Sequence, residues 1–134
     1  MTELKHLPVE LTDTQRSNLT RLADYLAKGK TKHQFDMRDY YEESPCGTVA
    51  CAAGHGPAAG VRMMKAEDWV EYVDRVFGES VAQWYWCFCD CWGSTDNTPQ
   101  GAAARIRYML ENGVPENYDE QMCGDEPLSY EVTA

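Results

Sequence analysis

From Ser44 to Gly60 the chain reads Ser-Pro-Cys-Gly-Thr-Val-Ala-Cys-Ala-Ala-Gly-His-Gly-Pro-Ala-Ala-Gly, a run of small residues with two cysteines, one histidine and a proline near each end. Residues of so little bulk let two backbone segments approach closely, or let a ligand lie against the main chain. Any fold for this chain has to place that slim segment against bulkier elements. Pro45 biases Ser44 towards an extended conformation, and Thr48 to Ala53 is expected to form a short helix that Gly54, Gly56 and Pro57 end. Cys46 and Gly47 would then lie at a helix N-terminus, where unpaired N–H groups and the positive dipole end favour a thiolate. Cys46 is therefore the residue with a mechanistic case for reactivity.

Three readings compete for Cys46, Gly47, Thr48, Cys51, Gly54 and His55. In the first, the cysteines are small buried hydrophobes at a close-packed helix crossing. A second makes Cys46, Cys51 or His55 metal ligands together with Cys87, Cys89 or Cys91, although Cys-x4-Cys followed by Cys-x-Cys-x-Cys is not the paired spacing of common zinc modules. The third, a thiol nucleophile, needs a base and an oxyanion site, and His55 is the only imidazole nearby. The packing reading is preferred, so neither a catalytic residue nor a cofactor is assigned; a zinc- or cysteine-based module centred on Cys46, Cys51 and His55 is the alternative.

At 134 residues and 43% hydrophobic content, the chain is expected to make one domain with its own core. Met1 to His6 lacks the apolar run of a signal peptide, and no stretch is apolar for long enough to span a membrane. A cytoplasmic location is expected, with the six cysteines kept as thiols or metal ligands. Charge is unevenly placed. Residues 1–65 hold nine Lys or Arg against eight Asp or Glu, whereas residues 66–134 hold three against fourteen, so the net charge of −10 comes from the second half. That field repels nucleic acid and anionic membrane and attracts basic protein surfaces.

Thr12 and Gln15 have the form of a capping box, and Leu19, Leu22, Ala23 and Leu26 make the buried stripe of a helix from Asp13 to Lys28 that Gly29 stops. A second helix opens at Ala66-Glu67-Asp68; Trp69, Val70, Val73, Val76 and Phe77 form its inner stripe, and Asp68, Glu71 and Asp74 its acidic face. Ser80 to Trp92 reads as a helix burying Val81, Trp84, Tyr85 and Phe88, with Cys87 and Cys91 on one side. As a strand it would instead gather Cys87, Cys89 and Cys91 on one face. Its aromatic residues, Trp86 among them, exceed what one helix face can bury and suggest an exposed interface or a dimer contact. Thr98 and Pro99 start a helix running to Asn112, with Ala102, Ala103, Ile106, Met109 and Leu110 inward and Gly113 as its stop. Its alanines suit packing against the central small-residue run. Residues 114–134 are expected to form an acidic, irregular tail.

The order Phe35-Asp36-Met37, then Cys46-Gly47-Thr48-x-x-Cys51-x-x-Gly54, then the run from Thr98-Pro99 to Ile106-Arg107, with Thr98, Pro99 and Arg105 on its helix motif, resembles a group of small phage- and prophage-encoded proteins of unassigned activity. The resemblance covers residues 35–110 and implies a phage-related setting. Residues 87–91, with their three cysteines, depart from that group.

The fold expected is all-α with at most a short extended segment: about five helices in residues 1–113 around a short Gly/Ala/Cys-rich helix, followed by the tail. The function expected is binding without enzymatic activity. A basic protein surface would be engaged through Glu67, Asp68, Glu71, Asp74, Glu116, Asp119, Glu120 and Trp86, without direct contact to nucleic acid or membrane. In a phage setting that means inhibiting a host defence complex in the host cytoplasm by occupying a groove that normally holds nucleic acid.

Overall fold

The computed structural model describes residues 4–38, 42–44 and 47–132, so Cys46 lies outside the described residues. Two long helices make the frame. In α1 (Asp13–Ala27) the Thr12 hydroxyl accepts from the Gln15 N–H and the Gln15 side chain accepts from the Thr12 N–H, which satisfies two N–H groups that the first turn leaves without helical partners. Leu19, Leu22, Ala23 and Leu26 are fully buried, each leucine contributing about 2 kcal/mol of apolar transfer. They pack chiefly against α4 (Pro99–Asn112), where Thr98 caps the Gly101 N–H and Pro99 fills the first turn. Ala102, Ala103, Ile106 and Met109 face inward as expected, but the main neighbour of α4 is α1 and not the central run. Each apolar stripe marks a helix face without naming its partner.

α2 (Trp69–Phe77) packs against α1, and α3 (Val81–Phe88) against α4. Asp68 and Glu71 form a second capping box. α2 keeps Val73, Val76 and Phe77 inward as expected but exchanges Val70 for Tyr72, whereas α3 turns a different face inward from the one its pattern suggests. In α2, Tyr72, Val73, Val76 and Phe77 are buried while Val70 is 60% exposed. In α3, Gln83, Trp86, Cys87 and Phe88 are buried while Val81 is 68% and Tyr85 39% exposed. The reason in α3 is a polar anchor, the Trp86 indole N–H donating to the Arg105 carbonyl at 2.8 Å. Gln83 acts similarly, with its side-chain oxygen accepting from the Glu10 N–H at 2.6 Å. The helix ends at Phe88; Cys89 is extended and Asp90–Ser94 form a 3-10 turn, so the segment is neither the long helix expected nor the alternative strand.

The central run is likewise not a helix from Thr48. Gly47–Ala50 form a strand, β4, paired in parallel with β2 (Gln34–Phe35) and antiparallel with β3 (Glu42–Ser44), and Ala53–His55 make a 3-10 turn. A two-turn helix would satisfy few of its own N–H groups, whereas a strand with partners on both sides satisfies most of them. β3 is the sequence-adjacent antiparallel neighbour, with Ser44 opposite Gly47, and a helical period within Thr48 to Ala53 does not report such pairing. From Ala50 to Gly56 every residue is buried. Gly56 has to be glycine for space, since a Cβ there would lie 2.2 Å from the Tyr72 hydroxyl, which donates to the Val61 carbonyl.

The last segment is not an irregular tail throughout. β5 (Val114–Pro115) pairs antiparallel with β1 (His6–Leu7), α5 (Tyr118–Met122) follows, and Gln121, Met122 and Tyr130 are buried. Tyr130 closes an aromatic box around the fully buried Arg105, whose guanidinium lies 4.2 Å from the Trp92 ring centroid and 5.5 Å from that of Tyr130. The architecture is thus mostly helical, as expected, with two small sheets at its margins.

Candidate functional site

The expected acidic face lies on α2, but most of its carboxylates are committed to local structure. Glu67 pairs with Arg75 through two contacts, at 2.7 and 2.9 Å, and accepts from the Met64 N–H. The Arg75 hydrogen bonds hold its carboxyl down at about 2. Asp68 and Glu71 cap each other's backbone. Asp74 stands beyond these partners and faces α3. Glu116 precedes α5, which carries Asp119 and Glu120, all three exposed; Trp86 is fully buried and cannot touch a partner. Trp86 read as surface because its anchor, a backbone carbonyl on α4, leaves no mark in the neighbouring sequence.

The exposure of Val70 on α2 and of Val81 and Tyr85 on α3 creates what the sequence reading missed. Val70, Asp74, Glu79, Val81, Trp84 and Tyr85 line an open depression of about 350 Å³ between the two helices. Val70, Val81 and Tyr85 expose apolar surface there, with Asp74 and Glu79 as its acidic edge. Tyr85 stacks on Tyr118 with ring centroids 6.2 Å apart, so the surface continues to α5 and Asp119. The available signal was the hydrophobic surplus of residues 69–88: more apolar positions than one stripe per helix can bury.

The central motif offers less chemistry than its composition promised. Gly47 and Thr48 belong to β4. Cys51, Gly54 and His55 are buried, and the His55 ring is held at both nitrogens: Nδ1 lies 2.8 Å from the Cys51 carbonyl and Nε2 3.0 Å from the His33 carbonyl. Both ring nitrogens face backbone carbonyls, and neither points into open space. Phe35 stacks on it at 5.6 Å, with His33 and Tyr25 further round the ring. Cys87, the other deeply placed thiol, rests 3.6 Å from the Met109 sulfur and is pushed up to about 12 by burial. It too is a packing residue.

Cys89, Asp90 and Cys91, by contrast, bring their ligand atoms within 4.8 Å of one another, with Asp90 and Cys91 exposed. Among the described residues no helix is long and apolar enough to cross a membrane. No protein-family model matches the chain, and searches of curated proteins and of solved structures return no significant match.

Proposed function

We propose that the protein is a binding module whose α2–α3 face takes a basic segment of another protein, one that carries apolar side chains among its cations. The observation that supports this is the exposure of Val70, Val81 and Tyr85 in one depression edged by Asp74 and Glu79. Apolar groups of this kind supply affinity on desolvation, and the carboxylates steer a cationic partner and fix its register.

The charge arrangement points the same way. All three basic side chains of residues 66–134 are engaged with carboxylates: Arg75 with Glu67, Arg105 with Asp96 and Arg107 with Asp24. Of the fourteen carboxylates in that half, setting aside Glu67 and Asp96 leaves twelve without a lysine or arginine partner among the described residues. A symmetric dimer through this face would set Asp74 and Glu79 against their own copies, which disfavours self-association as its use. In a phage-related setting the partner is a host protein with a basic groove, of the kind that otherwise holds nucleic acid.

The test is capture from host lysate by immobilised wild type, by Val81→Asp/Tyr85→Ala and by Asp74→Asn/Glu79→Gln. A partner of this face is retained by wild type, lost with the first variant, and retained by the second only at reduced ionic strength. Capture indifferent to both variants removes the reading.

A further inference from the structure

We propose that Cys89, Asp90 and Cys91 form a site for one zinc-class divalent cation, built where α3 meets the 3-10 turn. The thiol and carboxylate ligand atoms lie within 4.8 Å of one another, and the Cys89 Sγ sits 3.7 Å from an Asp90 carboxylate oxygen. Zn–S bonds of about 2.3 Å at tetrahedral angles place two sulfurs about 3.8 Å apart, so the pair has to close by about 1 Å at most.

Backbone geometry explains the clustering. In a helix, residues two apart point to nearly opposite sides, and the break between Phe88 and Asp90 is what brings the two thiols together. Both flanks of the break are fixed. Phe88 is buried on one side; on the other Trp92 is fully buried, donating from its backbone N–H to the Cys89 carbonyl and from its indole N–H to the Tyr85 carbonyl at 3.1 Å. Thr95 ties the end of the turn to the Met122 carbonyl of α5. The ligands therefore stand on an anchored loop and little chain entropy is lost when an ion binds.

Chemistry selects the ion class. Two thiolates favour a thiophilic metal over calcium or magnesium, and the carboxylate with an open solvent side suits zinc better than copper(I). The surroundings favour a cation as well: Cys123 at the end of α5 is close enough to Cys91 to feel its charge, with Asp119, Glu120 and Asp125 around it. The two cysteines ligate as thiolates, the form in which a thiol binds zinc, and any proton they carry leaves to solvent.

The experiment is an anaerobic Co²⁺ titration of the reduced full chain, followed by its thiolate-to-cobalt absorption and by displacement with Zn²⁺. One equivalent is expected to saturate the band. Cys91→Ser, an exposed substitution, is expected to abolish the band, and Asp90→Asn to weaken binding more than about tenfold, the least that even outer partners of a metal site contribute. Cys46→Ser is expected to leave it unchanged. Absence of the band in wild type, its persistence in Cys91→Ser, or its loss in Cys46→Ser overturns the assignment; circular dichroism of each variant separates loss of ligand from loss of fold.

Discussion

Arg105 and Asp96 make opposite predictions for two substitutions that look alike on paper. The Arg105 side chain is wholly buried, its Nη1 donating to the Tyr130 hydroxyl at 2.8 Å and lying 3.5 Å from an Asp96 carboxylate oxygen. Among the described residues, Nε and Nη2 have no hydrogen-bond acceptor. Burial draws the guanidinium pKa below its usual value in spite of the carboxylate, so desolvation outweighs attraction. At an effective dielectric of about 20, attraction across that separation is worth about 5 kcal/mol before desolvation. Asp96→Asn removes it and leaves a buried cation without a counter-charge. With the Asp96 side chain 16% exposed, the expected cost is about 3 kcal/mol, at the low end for a broken buried pair. Arg105→Met removes the cation itself, together with two donors that lack acceptors. It forfeits a cation–π contact with Trp92 of about 2 kcal/mol, partly offset by the relieved desolvation, for a net of about 1 kcal/mol. Adding Arg105→Met to Asp96→Asn should therefore restore stability. Urea unfolding followed by tryptophan fluorescence reads all three, since about 3 kcal/mol moves the midpoint by about 1.5 M for a chain this size. If Arg105→Met costs more than Asp96→Asn, or the double variant is weaker than Asp96→Asn alone, the guanidinium is a net source of stability and the reasoning fails.

Three further outcomes follow from the same structure. The Glu67 carboxyl is held at about 2 in the folded chain against an ordinary 4.5, so its contribution is complete above about 4.5 and disappears as pH falls through about 2; the melting-temperature gap between wild type and Glu67→Gln should close across that window, and a gap constant with pH contradicts the pairing. With a disulfide reagent and mass mapping, Cys91 and Cys123 should be labelled in the native protein, while Cys51, Cys87 and Cys89 react only after unfolding; rapid native labelling of Cys87 contradicts its burial. Gly113→Ala should destabilise by more than about 2 kcal/mol, because it combines a φ of 92° with a Cβ 2.5 Å from the Leu7 carbonyl oxygen; Gly124→Ala, at φ 83° with open space around it, should cost only about 1 kcal/mol, and equal losses in urea refute the steric part.

What could be read from the sequence was what local chemistry decides. Thr12 with Gln15 and Thr98 with Pro99 announce helix starts within a few residues, and the stripes from Leu19 to Leu26 and from Ala102 to Met109 point inward as written. What could not be read depended on pairing and anchoring that a helical period does not report. β4 exists because Gln34–Phe35 and Glu42–Ser44 flank it, and no helical period within Thr48 to Ala53 reports that. The face of α3 was ambiguous because it carries apolar residues nearly all round. Trp86 over the Arg105 carbonyl resolved it. For the candidate site the same uncertainty had a direct consequence: Val81 and Tyr85 were assigned to the core and Trp86 to the surface, and the structure exchanges them.

That exchange moves the exposed chemistry from the middle of the chain to the two ends of α3. His55 spends both nitrogens on the Cys51 and His33 carbonyls, whereas Val81 and Tyr85 open one end of α3 to a partner and Cys89 to Cys91 open the other to an ion. Eight helical residues separate the ends by about 12 Å, and the helix between them is pinned by Trp86 and, beyond it, by Trp92. Val81 stands at the far end, but Tyr85 is one turn, about 6 Å, from Cys89 and its carbonyl accepts from the Trp92 indole, so Val81 is the apolar position remote enough to be independent of the ion site. Val81→Asp should bind Co²⁺ as wild type does, and Cys91→Ser should keep whatever partner the acidic face captures. Loss of cobalt binding in a folded Val81→Asp protein would show that α3 transmits between its ends, and the two sites would have to be treated as one.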